Sequence, residues 1–462
     1  AFVRGALAGA TLAGATLAET ALPDADLTGA DLAGAVVHRA TLAGAKLAGA
    51  KLAGARVAES FLTGADLRGA DLGEAALETV FLQQADLRGA RLPRGLAKCF
   101  FDEAIFTRHD AEARGRDRAG DPGPDRVELA GADLFFASLR GVCLRGADLR
   151  GARLEMTNLA GCDLEGADLA GADLRRTQLD GAKLAGVSLA GHDLEMTSFA
   201  KADLTGASFA EAQLSMTRLD GATLRGASFE RAFLHATSFT GVSLDGVRLD
   251  KATFRGCSFD EVDLRALPMD GLSFPLCSFV GCDLSGKTLV GVDFGSADFG
   301  EAKLAGAVLR GCVLEKASFR EALVDGADLA EADAKSAYFG HAALRGARLP
   351  SARLRYAIFL GADLSRANLA AADLRETIFE EALATGASFV GARLDYADFS
   401  GANLTGADFT AAGLFSANLH GVVDEATVFE GANLTRAKRT DPERYVAERY
   451  LPPPARRPTD PR

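Results

Sequence analysis

Every fifth residue of this chain is apolar. With the Leu or Phe of each unit taken as its centre, centres run from Phe2, Leu7 and Leu12 to Leu92 without a miss, 19 in all. A second register starts at Leu129 and runs by fives to Leu434, giving 62 centres. Only Asp424 is polar among these, and Ala334 and Ala384 are undersized. Five is neither the 3.6 of a helix nor the 2.0 of a long strand. In each unit two positions are small or apolar: the centre and the residue two before it, nearly always Ala. A short extended piece that points both inward, closed by a turn at the following Gly, makes one side of a coil. Coils of this kind stack by parallel strand pairing, and each is stabilised by its neighbours.

Spacing by 20 tells how many sides the coil has, because stacked positions share identity. Phe239, Phe259, Phe279, Phe299, Phe319, Phe339, Phe359, Phe379 and Phe399 form one column, which Phe199 continues at wider spacing. The small inward position beside that column reads Thr157, Thr177, Thr197, Thr217 and Thr237, then Cys257 and Cys277. The triplet Glu155-Met156-Thr157 recurs as Glu195-Met196-Thr197 and, with one change, as Ser215-Met216-Thr217. Twenty residues are four units, so the coil has four sides. The composition agrees: Gly is 51, Phe 28 and Trp absent, the skew of a self-similar chain, while 48% apolar residues argue against disorder.

Units such as Ala65-Asp66-Leu67-Arg68-Gly69 and Ala147-Asp148-Leu149-Arg150-Gly151 resemble the consensus of the pentapeptide-repeat family. The resemblance covers about nine-tenths of the chain. It implies an all-β fold, a right-handed four-sided parallel β-helix. At the strand spacing, the repeats make about 21 coils and a rod of roughly 100 Å.

The two registers differ by a slip of one, with intervening centres at Leu96, Phe101 and Phe106. This divides the chain into a first solenoid block (1–107), a charged loop rich in Gly and Pro (108–128) and a second block (129–438). Arg114, Arg116 and Arg118 stand out in the loop as candidate interaction residues. Thr440-Asp441-Pro442-Glu443 starts a helix, and 439–451 is expected to cap the solenoid with Tyr445, Val446 and Tyr450 against the last coil. The Pro-rich basic tail at 452–462 is expected to be disordered. The chain opens in the middle of a repeat, which suggests the repeat region of a larger bacterial protein.

No reaction chemistry is legible. Cys99, Cys162, Cys257, Cys277, Cys282 and Cys312 replace the small inward residue, and only Cys143 points outward, so the thiols read as reduced, space-filling groups. His192 also takes an inward place and reads as a hydrogen-bonded core substitution. The Asp residues before the centres, such as Asp163, Asp168, Asp173 and Asp203, read as partners of turn backbone rather than metal ligands. No catalytic residue, cofactor or metal is therefore expected, and the chain is read as not an enzyme.

Charge narrows the partners. Residues 129–434 hold 28 basic against 41 acidic side chains, while 435–462 hold 8 against 4. An acidic body disfavours direct binding to nucleic acid. No stretch is apolar enough to span a membrane. The leading reading is a non-catalytic scaffold for protein–protein interaction, its partner unnamed by the sequence, with homodimerisation through the C-terminal end as one arrangement. Two alternatives stand beside it. Some members of the family resemble B-form DNA and act on gyrase; other chains of this kind are repeat domains of secretion-system effectors or adaptors. The expected compartment is the cytoplasm, or the exterior for a secreted effector.

Overall fold

The structure, a computed structural model, describes residues 6–108 and 126–448. It is a parallel β-solenoid whose coils repeat every 20 residues on four sides. Asp26 pairs with Lys46, Asp31 with Lys51, Val36 with Arg56 and Thr41 with Phe61, one rung for each side of a coil. Most rungs are single residues. Among the described residues three-residue strands form on one side only, where β1 (Thr16–Ala18), β2 (Val36–His38), β3 (Arg56–Ala58) and β4 (Ala76–Glu78) pair in parallel. Further along, β5 (Gln213–Ser215), β6 (Phe233–His235) and β7 (Thr253–Arg255) pair in the same way.

Each side closes its own turn and also bonds both neighbouring coils. The Ala30 N–H donates to the Leu27 carbonyl at 3.0 Å, while the Leu27 N–H donates one coil up to Lys46 at 2.8 Å. The Lys46 N–H in turn donates back to Ala25 at 2.9 Å. With the backbone satisfied in this way, the period of five leaves two side chains per unit to fill the interior. Ala and Leu or Phe at those two places are buried through most of the described chain.

The slip is visible in the pairing. Phe81 pairs with Phe100 and Asp86 with Ile105, 19 residues on, and Gly95 then pairs with Asp133 across the 108–126 stretch. Val127 and Glu128, assigned to the loop from sequence, already belong to the coil: Val127 is buried and Glu128 pairs with Asp148. The rest of that loop, with Arg114, Arg116 and Arg118, lies outside the described residues, as do Tyr450 and the tail.

The chain divides into two compact units, 1–268 and 269–462. The boundary falls at a proline. On this side of the solenoid the Arg248 N–H donates to Ala227 at 3.0 Å. Twenty residues on stands Pro268, which has no N–H to give to the corresponding carbonyl.

In the second unit the helix α1 (Pro442–Glu448) starts at 442 rather than at the 439 expected, and residues beyond 448 lie outside the described part. Asp441 is its N-cap, accepting from the N–H groups of Glu443 at 3.0 Å and Arg444 at 3.2 Å. Tyr445 is half-buried against Gly421 and His420. Val446, expected to pack on the last coil, is instead 70% exposed. A seven-residue helix that turns Tyr445 inward carries its next residue outward.

Candidate functional site

Among the described residues, many inward side chains with hydroxyl, thiol or imidazole groups are engaged by the stack in one recurring geometry. The Thr157, Thr177, Thr197 and Thr217 hydroxyls each donate to the carbonyl 23 residues earlier, at Leu134, Leu154, Leu174 and Leu194, over 2.7–2.9 Å. Thr237 does the same to Leu214. Cys162 and Cys312 direct their thiols at Leu139 and Leu289 in the same way, and His192 Nε2 donates to Leu169 at 2.9 Å. Burial pushes the Cys162 thiol up to about 12, and those of Cys99 and Cys312 to about 11. Thiols held neutral in this way are poor nucleophiles and metal ligands. None of the seven cysteines is in a disulfide.

The phenylalanine column lies in the interior. In the second unit, Phe279, Phe299, Phe319, Phe339, Phe359, Phe379 and Phe399 stack ring on ring with centroids 4.6–5.1 Å apart. In the first, Phe239 and Phe259 stack at 4.9 Å, and Phe199 meets Phe209 edge-on. These rings fill the interior and are fully buried.

Outward rows carry the charge, and much of it is neutralised locally. Asp163, Asp168, Asp173 and Asp203 each accept from the backbone N–H two residues on. Arginine two residues after an aspartate closes a fork on it: Arg150 on Asp148 and Arg175 on Asp173 at 2.6 Å, Arg375 on Asp373 at 2.5 Å. The Arg150 guanidinium holds the Asp148 carboxyl down to about 2. Each such fork sets an arginine charge beside its carboxylate. Among the described residues no three His, Cys, Asp or Glu gather in metal-binding geometry, and no helix is long and apolar enough to cross a membrane.

Two concave places lie among the described residues. One, of about 490 Å³, is lined by Thr107, Arg126, Cys143, Arg145 and Glu165 at the foot of the 108–126 stretch. The other, of about 390 Å³, lies beside α1, where His420 Nδ1 accepts from the Asp441 N–H and Nε2 faces Glu448 at 3.1 Å.

The outward feature missed from sequence is a corner row of the first unit. The residue two after each centre turns the corner in the left-handed region, and on one side glycine fills the row: Gly146, Gly166, Gly186, Gly206 and Gly226, with φ from +63° to +70°. On the side that bears β5–β7 the same row reads Phe136, Met156, Arg176, Met196 and Met216, with φ from +52° to +59°. Each non-glycine residue in this conformation costs about 1 kcal/mol. Four large apolar side chains are nevertheless set there in the open: Phe136 is 50% exposed, Met156 40%, Met196 49% and Met216 48%. The sequence signal was the recurring Met-Thr pair. What it did not give was direction: the threonine turns in and braces the corner, which leaves the methionine turned out.

Comparison with known proteins agrees with the coil geometry. The sequence profile of "Pentapeptide repeats (8 copies)" matches residues 7–92, 125–265 and 277–423 in overlapping segments. No curated protein matches the chain. Among solved structures, the chain is similar to a trypsin-treated form of QnrB1, a plasmid-mediated fluoroquinolone resistance protein, at 21% identity. That match covers 43% of this chain and 97% of the other, with a TM-score of 0.33. A pentapeptide repeat protein of the Arabidopsis thaliana thylakoid lumen matches at 29% identity over 21% of this chain and 69% of its own, TM-score 0.21. HetL, involved in heterocyst differentiation regulation in the cyanobacterium Nostoc sp. strain PCC 7120, matches at 22% identity over 72% and 98%, TM-score 0.17.

Proposed function

Because the chain belongs to the pentapeptide-repeat family, we propose that it works as a non-catalytic scaffold that binds protein through its outward rows. The observation that carries this reading is the division of labour across each unit. Inward hydroxyl, thiol and imidazole groups are tied to carbonyls of the neighbouring coil, so the chemistry a catalyst would use holds the stack together. Outward side chains stand in straight rows one coil apart, a format suited to contact with an extended partner surface.

A photo-reactive residue placed singly at Arg176, Gln178, Lys183 and Ser188 samples the four sides of one coil. In whole-cell extract the scaffold reading expects cross-links to concentrate on one or two sides. Cross-linking that is equally sparse on all four, at the level of an inert protein of the same size, would remove it.

A self-contact through the C-terminal end is the arrangement favoured by the last coil, where Phe429, Ala432, Leu434 and Ala437 are only half-buried. Edge rungs and apolar side chains left open in this way suit a second copy. Light scattering across a dilution series checks it: a mass that stays at one chain throughout excludes the dimer.

A further inference from the structure

We propose that the corner row Phe136, Met156, Arg176, Met196 and Met216 docks an amphipathic α-helix whose apolar face carries an acidic residue at its middle turn. The proposal rests on the scaffold reading and names the side of the solenoid and the class of partner.

Three observations converge on it. The first is backbone conformation. The glycine row shows what this corner accepts without strain, yet the Met row sets large apolar side chains at the same left-handed turn and exposes them. Their Thr neighbours hold the corner from inside, through hydroxyl bonds to Leu134, Leu174 and Leu194. The methionine side chains are left about half exposed to solvent.

The second is pitch. Row positions are one rung apart, about 4.8 Å, so Phe136 to Met216 spans about 19 Å. A helix laid along the row presents one side chain per turn of about 5.4 Å, close enough for flexible methionines to absorb the difference. An extended strand presents same-face residues every 6.8 Å or so and falls out of step by about 2 Å at each rung.

The third is charge. Arg176 sits at the centre of the row, flanked on both sides by apolar residues, and approaches Glu155 at 3.9 Å, too long for a hydrogen bond. Glu155 is nearer to Arg153, at 3.3 Å. The Arg176 fork thus keeps donors for an incoming carboxylate. The same residue argues against a second copy as the occupant, since a two-fold pairing of the row centred on Arg176 would set that residue against its own image.

The test uses the full chain and three fluorescein-labelled synthetic helices of equal composition in fluorescence anisotropy. One has a leucine face with Glu at the middle turn, one has that Glu exchanged with a Lys from the polar face, and one is scrambled. The Glu helix is expected to bind at least about tenfold more tightly than the other two, and Arg176→Glu to invert the preference between Glu and Lys helices. The double substitution Met156→Gly with Met196→Gly is expected to weaken binding by about tenfold or more while leaving the melting temperature unchanged or raised, because glycine relaxes both corners. Equal binding of the Glu and Lys helices, an unaltered preference in Arg176→Glu, or full affinity in the glycine variant would each overturn the proposal. So would a lowered melting temperature in that variant, which would give the methionines a structural role. If these fail while cross-links still gather on another side, the scaffold reading stands and only this row is wrong.

Discussion

The two units fasten the same interior column in different ways. In the first, the small inward place holds threonine, and the centre beside it is more often leucine than phenylalanine: Thr157 with Leu159, Thr177 with Leu179, Thr217 with Leu219. Each threonine reaches the adjacent coil with its hydroxyl. In the second unit the same place is most often alanine and the centre most often phenylalanine, as in Ala317 with Phe319 and Ala337 with Phe339, whose rings stack at 4.7 Å; Thr377 beside Phe379 and Cys277 beside Phe279 are exceptions. In the Thr–Leu and Ala–Phe pairs a larger residue at one place is matched by a smaller one at the other, whereas Thr197 with Phe199 and Thr237 with Phe239 combine the larger residue at both. One unit thus adds directional bonds and the other apolar contact, on the same backbone.

The contrast can be broken most severely in the ring stack. Phe319→Ala removes a fully buried ring that touches Phe299 below and Phe339 above. A loss of about 3–5 kcal/mol is expected in denaturant titration of the second unit's transition. The coil spacing is fixed by backbone rungs, so the cavity has little freedom to collapse.

A hydroxyl rung is the weaker fastening. Thr197→Val keeps the shape and deletes the 2.7 Å bond to Leu174. The expected cost is about 1 kcal/mol, because the carbonyl loses one partner in a buried place. A loss as large as that of Phe319→Ala would show that the threonine column carries more of the first unit than the bond alone explains.

Acid sharpens the comparison further, since neither interior fastening titrates below neutrality and the outer forks do. Asp148 is held at about 2 when folded, by Arg150, against an ordinary value near 4 when unfolded. Its contribution is therefore complete above about pH 4 and is lost as pH falls through about 2. The melting-temperature gap between the wild-type chain and Asp148→Asn is expected to be small at neutral pH, to shrink as pH falls towards 2 and to vanish only below it. A gap that persists there would mean the aspartate acts through its turn bond to the Arg150 N–H rather than through its charge.

Several features of the sequence acquire reasons only in three dimensions. Asp424, the one polar centre, lies exposed in the final coil and pairs with Arg439 at 3.3 Å. Pro268 leaves the five-residue pattern intact, and its missing N–H falls at a unit boundary. Val446 looked like an apolar contact of the closing helix and faces solvent. Each depends on where the coil ends or on what a neighbouring coil offers, and a periodic pattern contains neither.

The sequence by itself determined the fold class, the 20-residue coil and the identity of the interior columns. It could do so because inward and outward alternation is local to five residues and stacking repeats it. The tertiary structure alone decided which polar residues inside find acceptors, since each acceptor comes from 23 residues earlier on another side of another coil. It alone also decided which corner exposes methionine: a left-handed turn occupied by Phe136, Met156 and Met216 is set by the bracing of neighbouring coils against the local preference for glycine.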